Sequence, residues 1–277
     1  VALSRASLLT IVAVLAWPIG AGAQGKLEAH YTASLAHIPI GKGTFTVEIS
    51  EHQYTAQVSG STTGLLKIFT GGQGTSTGRG TLSAGKLMSS IYASTITTTK
   101  KIDDVRVTTA GGNVKDSKVD PPIDTDPERI KLTEEHQHNI VDPVSASLVR
   151  VSDGDMLSAA ACQRTLSIFD GRLRYDLQLA FKRMESVKAD KGYSGQAVVC
   201  SVTFAPVAGF IPSRTAIKYL VKQKDMEVWL APIAGTRVLV PFRAQGPTPI
   251  GEARLEADEF VAVAYPARAS AGAPKAQ

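Results

Sequence analysis

Five histidines, two cysteines and several clustered carboxylates are the residues of this chain whose types allow chemistry beyond packing. His136-Gln137-His138 stands beside Glu134, Glu135 and Asp142, the clearest grouping of metal-ligand types. Neutral imidazole nitrogens suit zinc or a similar ion. The pair lacks a third ligand at a fixed spacing, and His30, His37 and His52 are remote in sequence, so a solvated loop is the preferred reading and no metal is assigned. Gly72-Gln73-Gly74 and Gly78-Arg79-Gly80 resemble a phosphate cradle only in composition, because no helix start follows them. They read instead as a strand that bends sharply or is approached closely by another backbone. No serine is assigned as a nucleophile, since no G-x-S-x-G elbow and no S-x-x-K are read, no cysteine is left once the disulfide forms, and Ser145 reads as a first-turn helix residue. No catalytic residue and no cofactor are assigned.

Cys162 and Cys200 offer a different chemistry. Arg5, the apolar run over 8–17, Pro18 and the small residues Ala21-Gly22-Ala23 form the n-region, h-region and cleavage site of a secretory signal peptide over 1–23. That run is about half the ~20 residues of a spanning helix, so no transmembrane span is expected in the mature chain. Export places the cysteines in an oxidising compartment, the periplasm, where a single disulfide between them is the expected state. The C-x-x-C spacing of redox enzymes is absent.

Short alternating segments separated by Gly, Asn, Asp or Pro run through the chain from Leu27 onward. A hairpin is expected about Gly41-Lys42-Gly43, and a second, with a type I′ turn, at Asp170-Gly171. After that turn Leu173, Tyr175, Leu177, Leu179 and Phe181 share one face, as do Val198, Cys200, Val202 and Phe204 later. Residues 214–222, 226–233 and 236–243 read as three more strands, and 253–263 as the last. Residues 116–139 form a long excursion. One helix is expected over 144–151, capped by Asp142 and started by Pro143. The fold class is therefore mainly β, a large curved antiparallel sheet or incomplete barrel around one helix, because open twisted sheets rarely exceed ~10 strands.

No composition shift divides the chain, so a single β-rich domain is expected over 24–265, with a disordered tail over 266–277. Loss of Arg5 with the signal peptide takes the formal charge from +5 to +4. The cations are mixed with acids and no aromatic-interleaved basic stripe is present, which argues against a nucleic-acid partner. Two apolar stretches do not alternate: Leu65, Leu66 and Phe69 belong to one, Phe210 and Ile211 to the other. Core packing is the usual fate of such residues, and the functional reading is that they line the mouth of a concave apolar site.

The strings YTASLAHIPIGKGTFTV, GLLKIFTGG, VDPVSA, CQRTLSIFDGRLRYDL and MEVWLAPIAGTRVLVPFR together resemble an uncharacterised family, a domain of unknown function, of exported β-rich proteins of Gram-negative bacteria. The resemblance spans about residues 25–263 and implies no activity. In outline the expected architecture is also similar to periplasmic envelope-integrity proteins and outer-membrane lipoprotein carriers, an analogy of fold alone. The resulting expectation is a non-enzymatic periplasmic envelope protein that binds a lipid, a lipoprotein or an envelope partner in an apolar concavity. A hydrolase acting on cell-wall or lipid substrates and a periplasmic protein-interaction scaffold are the alternatives.

Overall fold

Alternation between apolar and polar residues commits most of this chain to strands that bury one face, and the connections are short enough to make neighbours in sequence neighbours in the sheet. A computed structural model describes residues 24–63, 71–83, 86–152 and 154–265. The signal-peptide and tail expectations lie outside these residues. The first strands are β1 (Gly25–Leu35), β2 (Ile38–Ile49), β3 (Gln53–Thr62), β4 (Gln73–Ser83), β5 (Lys86–Thr97), β6 (Ile102–Ala110) and β7 (Asn113–Asp120). After an excursion come the single helical turn α1 (Pro143–Ala146), β8 (Val149–Arg150), β9 (Arg164–Phe169), β10 (Arg174–Lys188), β11 (Lys191–Gly192) and β12 (Ser194–Ala208). Helix α2 (Thr215–Lys222), β13 (Met226–Pro232), β14 (Val238–Thr248) and β15 (Gly251–Ala264) are the last of the described helices and strands.

All fifteen strands among the described residues belong to one sheet, in the order β7-β6-β5-β4-β3-β2-β1-β15-β14-β13-β12-β10-β9, with β11 and β8 paired to β15 and β14. Apart from the two-residue β11–β15 pairing, every ladder is antiparallel. The curved sheet is not closed by its own ladders. Its free edges, β7 and β9, are joined through residues 138–141. The Ile140 N–H donates to Gly112 O (2.8 Å), the Val141 N–H to Ser167 O (2.9 Å) and the Phe169 N–H to Val141 O (3.0 Å). At the other end of this seam Gly171, with φ 93°, seats the β9–β10 connection so closely on β6 that a Cβ there would lie 2.6 Å from Val105 Cγ1.

Two apolar clusters lie on opposite sides of the sheet. The larger, inside the curve, joins Leu27, Phe45, Val47, Tyr54, Val107, Ala197, Val199, Phe242 and Phe260 to Ile140, Val144 and Leu148 of the excursion and α1. The smaller sits outside: Val198 and Cys200 of β12, Leu179 and Leu230 pack under Val149, Val151, Ala161 and Cys162. Cys162 and Cys200 are disulfide-bonded with Cα atoms 5.4 Å apart. The bond fastens the 149–162 segment onto the outer face.

Several local expectations require correction. The first hairpin turns at Ala36-His37, both at positive φ, while Gly41 and Gly43 lie inside β2, where a Cβ at either would come 3.0 Å from a β3 carbonyl oxygen. Phe169 pairs with Arg174, so the Asp170-Gly171 connection has four residues rather than two. Asp170 Oδ1 closes it by accepting the Arg172 and Leu173 N–H groups at 2.8 and 2.7 Å. Leu177 and Leu179 share the outer face with the smaller cluster as expected, but Phe181, on the same face and last before a bulge at Phe181/Arg183, is exposed. The excursion begins at Pro121, because β7 extends to Asp120. The helix over 144–151 stops after one turn, because Val149 and Arg150 pair with Leu239 and Val238 of β14. Residues 215–222 are helical rather than extended: β13 pairs β12 only as far as Val202, so nothing offers this segment a ladder.

Candidate functional site: an apolar mouth above an internal plug

The glycines of β4 explain how the plug is seated. On the inner face of the sheet, a Cβ at Gly78 would stand 2.9 Å from both Asp142 Oδ1 and Ser145 Oγ, and one at Gly80 would stand 2.0 Å from Met88 O. Residues without side chains let α1 approach the strands. Asp142 caps α1 by accepting the Ser145 N–H at 2.8 Å and also accepts the Ser89 hydroxyl at 2.5 Å. Tyr54 donates its hydroxyl to Ser145 Oγ at 2.7 Å. Burial pushes the Asp142 carboxyl above its usual range, partly opposed by its hydrogen bonds to Ser145 and Ser89. Burial likewise raises the Tyr54 phenol. Asp142 is 1% exposed and Ser145 is buried, so this group holds the plug in place and presents no nucleophile to solvent.

Above the plug, toward the end of β1, the start of β2 and the end of β3, the described residues leave the interior open. A cavity of about 440 Å³ is lined by Tyr31, Ala33, Ile40, Phe45, Val58, Pro241 and Leu255, with Ser147, just after α1, among its lining residues. The volume lies within the ~300–1,000 Å³ of small-molecule sites. Val58 (39% exposed) and Leu255 (40%) place apolar surface in contact with solvent there. Tyr31 ties the wall together by donating its hydroxyl to Pro241 O at 2.6 Å, and burial raises its phenol. Gly41, Gly43 and Gly60 thin the wall on the β2–β3 side.

The expected site residues fare differently. Leu65, Leu66 and Phe69 lie outside the described residues. Phe210 and Ile211 do not line this cavity: the Phe210 carbonyl accepts the Ile130 N–H at 2.9 Å, and Ile211 is buried beside the excursion. The histidines stay apart. His136 Nδ1 accepts the Thr133 N–H (3.1 Å), His138 Nδ1 lies 3.0 Å from Asn113 Oδ1, and His30 lies near Glu28. Among the described residues no three His, Cys, Asp or Glu side chains gather to hold a metal ion. A G-x-S-x-G string is present after all, Gly74-Thr75-Ser76-Thr77-Gly78, but it lies wholly within β4, with no helix following, and Ser76 Oγ is 2.8 Å from Ser94 Oγ. Ser83 and Lys86 form an S-x-x-K string across the β4–β5 connection, whose residues 84–85 lie outside the described residues.

Sequence reasoning expected an apolar concavity but did not name these lining residues, because they come from five strands at the two ends of the chain. The nearest signal was the inward alternation of Tyr31, Ala33, Phe45 and Val58 itself. It also missed a charged cluster around Trp229, over whose ring the Arg183 and Arg243 guanidinium carbons stand at 5.4 and 4.9 Å. Arg183 bonds Glu227 and Glu185, and Arg243 Nε bonds Glu256 at 2.9 Å. Burial acts to raise the Glu227 carboxyl, but the hydrogen bonds and charges of Arg183 and Lys182 outweigh it and hold the group below its usual range.

Among the described residues no helix is long and apolar enough to cross a membrane. The family model "Protein of unknown function (DUF3108)" matches residues 29–258. No curated protein matches the chain. Among solved structures, a beta-barrel-like protein of domain of unknown function DUF1849 from Brucella abortus is similar at 8% identity with a TM-score of 0.43, over 87% of this chain and 98% of that one.

Proposed function

The chain belongs to the DUF3108 family, and from that premise and the geometry of its interior we propose that it is a non-enzymatic protein of the periplasm that receives the acyl chain of a lipid in the cavity above its plug. The observation that carries this reading is the cavity itself: about 440 Å³ between Tyr31, Ala33, Ile40, Phe45, Val58 and Leu255 that the described side chains leave unfilled. An apolar ligand gains about 25 cal/mol for each Å² of apolar surface removed from water, and this wall offers that gain with little polar surface to desolvate, although Lys42, Thr44, Ser59 and Ser147 are among its residues. The disulfide and the apolar segment before Pro18 support an oxidising compartment. The buried state of Asp142, Ser145 and Tyr54 supports binding over hydrolysis.

A long-chain fatty acid carrying an environment-sensitive fluorophore tests the reading. Saturable binding is expected, weakened by about tenfold or more in Val58→Asp and Leu255→Asp, whose exposed positions leave the melting temperature near that of the parent. Absence of saturable binding, or equal binding by both variants, overturns it.

A further inference from the structure

Strand register brings several turns to one end of the curved sheet. Leu35 pairs Ile38 and also Ala253, Thr248 pairs Gly251, and Lys42, Ser61, Gln73 and Thr97 form one row across β2 to β5. The β1–β2, β14–β15 and β5–β6 turns therefore stand together, at the end where the apolar cavity opens between Ala33, Ile40, Thr62 and Leu255. The first two touch: the Ala36 N–H donates to Glu252 O at 2.9 Å.

The three most exposed large apolar side chains among the described residues sit at these turns: Ile250 (71%), Ile38 (66%) and Ile102 (56%). Turns at the opposite end carry Ser50-Glu51-His52, Gly111-Gly112 and Ala189-Asp190, without an exposed large apolar group; Val263 and Tyr265 at the end of β15 are the exceptions there. Helix α2 adds to the first end, since it precedes Met226, which starts β13 there. Ile217, Leu220 and Val221 fall on one helical face, none of its residues is buried, and Arg214, Lys218, Lys222 and Lys224 accompany it; the acids nearby are Asp225, Asp124, 3.9 Å from Arg214, and Glu128, bonded to Ser213, so the three lysines carry the excess charge. A short helix with an uncovered apolar face and basic flanks suits the plane of an anionic bilayer, where apolar tips enter the headgroup boundary and lysines meet phosphates.

We propose that this rim, the tips bearing Ile38, Ile102 and Ile250 together with α2, docks the protein on an anionic phospholipid bilayer with the mouth of the cavity facing the lipid. Charge decides for a bilayer over a second copy of the chain, because the cations about α2 on two copies would repel across a shared interface. The use of such docking, transfer of an acyl chain between bilayer and cavity, rests on the acyl-binding reading. The docking chemistry itself does not.

Flotation of the protein starting at Gln24, which contains every strand described, tests the inference with vesicles of phosphatidylglycerol and phosphatidylethanolamine against vesicles of phosphatidylcholine. Strong flotation is expected with the anionic vesicles and weak flotation with the zwitterionic ones, decreasing as salt rises. Each lysine at an anionic surface is worth about fivefold in partitioning, so Lys218→Gln/Lys222→Gln/Lys224→Gln falls by about a hundredfold on anionic vesicles. Ile38→Ser/Ile102→Ser/Ile250→Ser loses binding to both vesicle types, while Val263→Ser at the opposite end behaves as the parent. Both rim variants retain fluorescent fatty-acid binding measured without vesicles, so failure of docking and failure of the acyl reading are told apart. Equal flotation on both vesicle types, parent-like flotation of the rim variants, or self-association without vesicles that the triple isoleucine variant abolishes overturns the inference.

Discussion

Asp142 does two things with one carboxylate: one oxygen caps α1 through the Ser145 N–H and the other accepts from Ser89. The capping role is legible in the sequence, because an Asp before Pro is a helix-start signal. Its burial is not, since that depends on Gly78 and Ser89 arriving from distant strands. Burial raises the carboxyl in the folded state, so ionisation costs folding free energy. The contribution of the protonated group is fully present below the unfolded value of about 3.9 and is lost as pH rises through the higher folded value. Asp142→Asn keeps an acceptor for Ser145 and carries no charge. Its stability relative to the parent is expected to improve from about pH 4 to about pH 7, read from urea midpoints; a constant difference across that range contradicts the assignment.

At the scale of elements, most strands, the Cys162–Cys200 pairing and the close approach at the glycine-rich stretch were readable from alternation, cysteine count and glycine spacing. Two segments were read in the wrong state for opposite reasons. Residues 147–151 have helix-compatible types, yet β14 presents a free edge to Val149 and Arg150 and takes them as a strand. Residues 215–222 are rich in β-branched and aromatic types, yet the i, i+3, i+4 recurrence of Ile217, Leu220 and Val221 prevails where no strand partner exists. Glycine in β4 likewise has a positional meaning. Gly80→Ala places a Cβ against Met88 O and Tyr54 and is expected to cost about 1–3 kcal/mol. Gly72→Ala, just before β4, meets only Thr62 Cγ2 at 3.6 Å and should melt like the parent. Equal melting temperatures for the two variants would show that close approach does not set the β4 sequence.

On the scale of the whole molecule, a curved sheet around an internal element follows from strand number and apolar face alone. How its edges meet does not, because the 138–141 bridge is built from single hydrogen bonds that leave no periodic pattern. Val141→Pro deletes the N–H bonded to Ser167 O and loosens the seam. Backbone exchange at Phe169, whose N–H bonds Val141, is expected to quicken by about tenfold, while exchange in the middle of the β1–β2 ladder stays unchanged. Uniform quickening throughout the sheet would mean that the bridge is part of the global unit. Strand number and stagger fix the girth of a barrel closed by ladders. Here a wedge of coil sits between β7 and β9, and the circumference includes that wedge. Easing that coil outward would widen the girth at the expense of a few hydrogen bonds and with every strand pair intact.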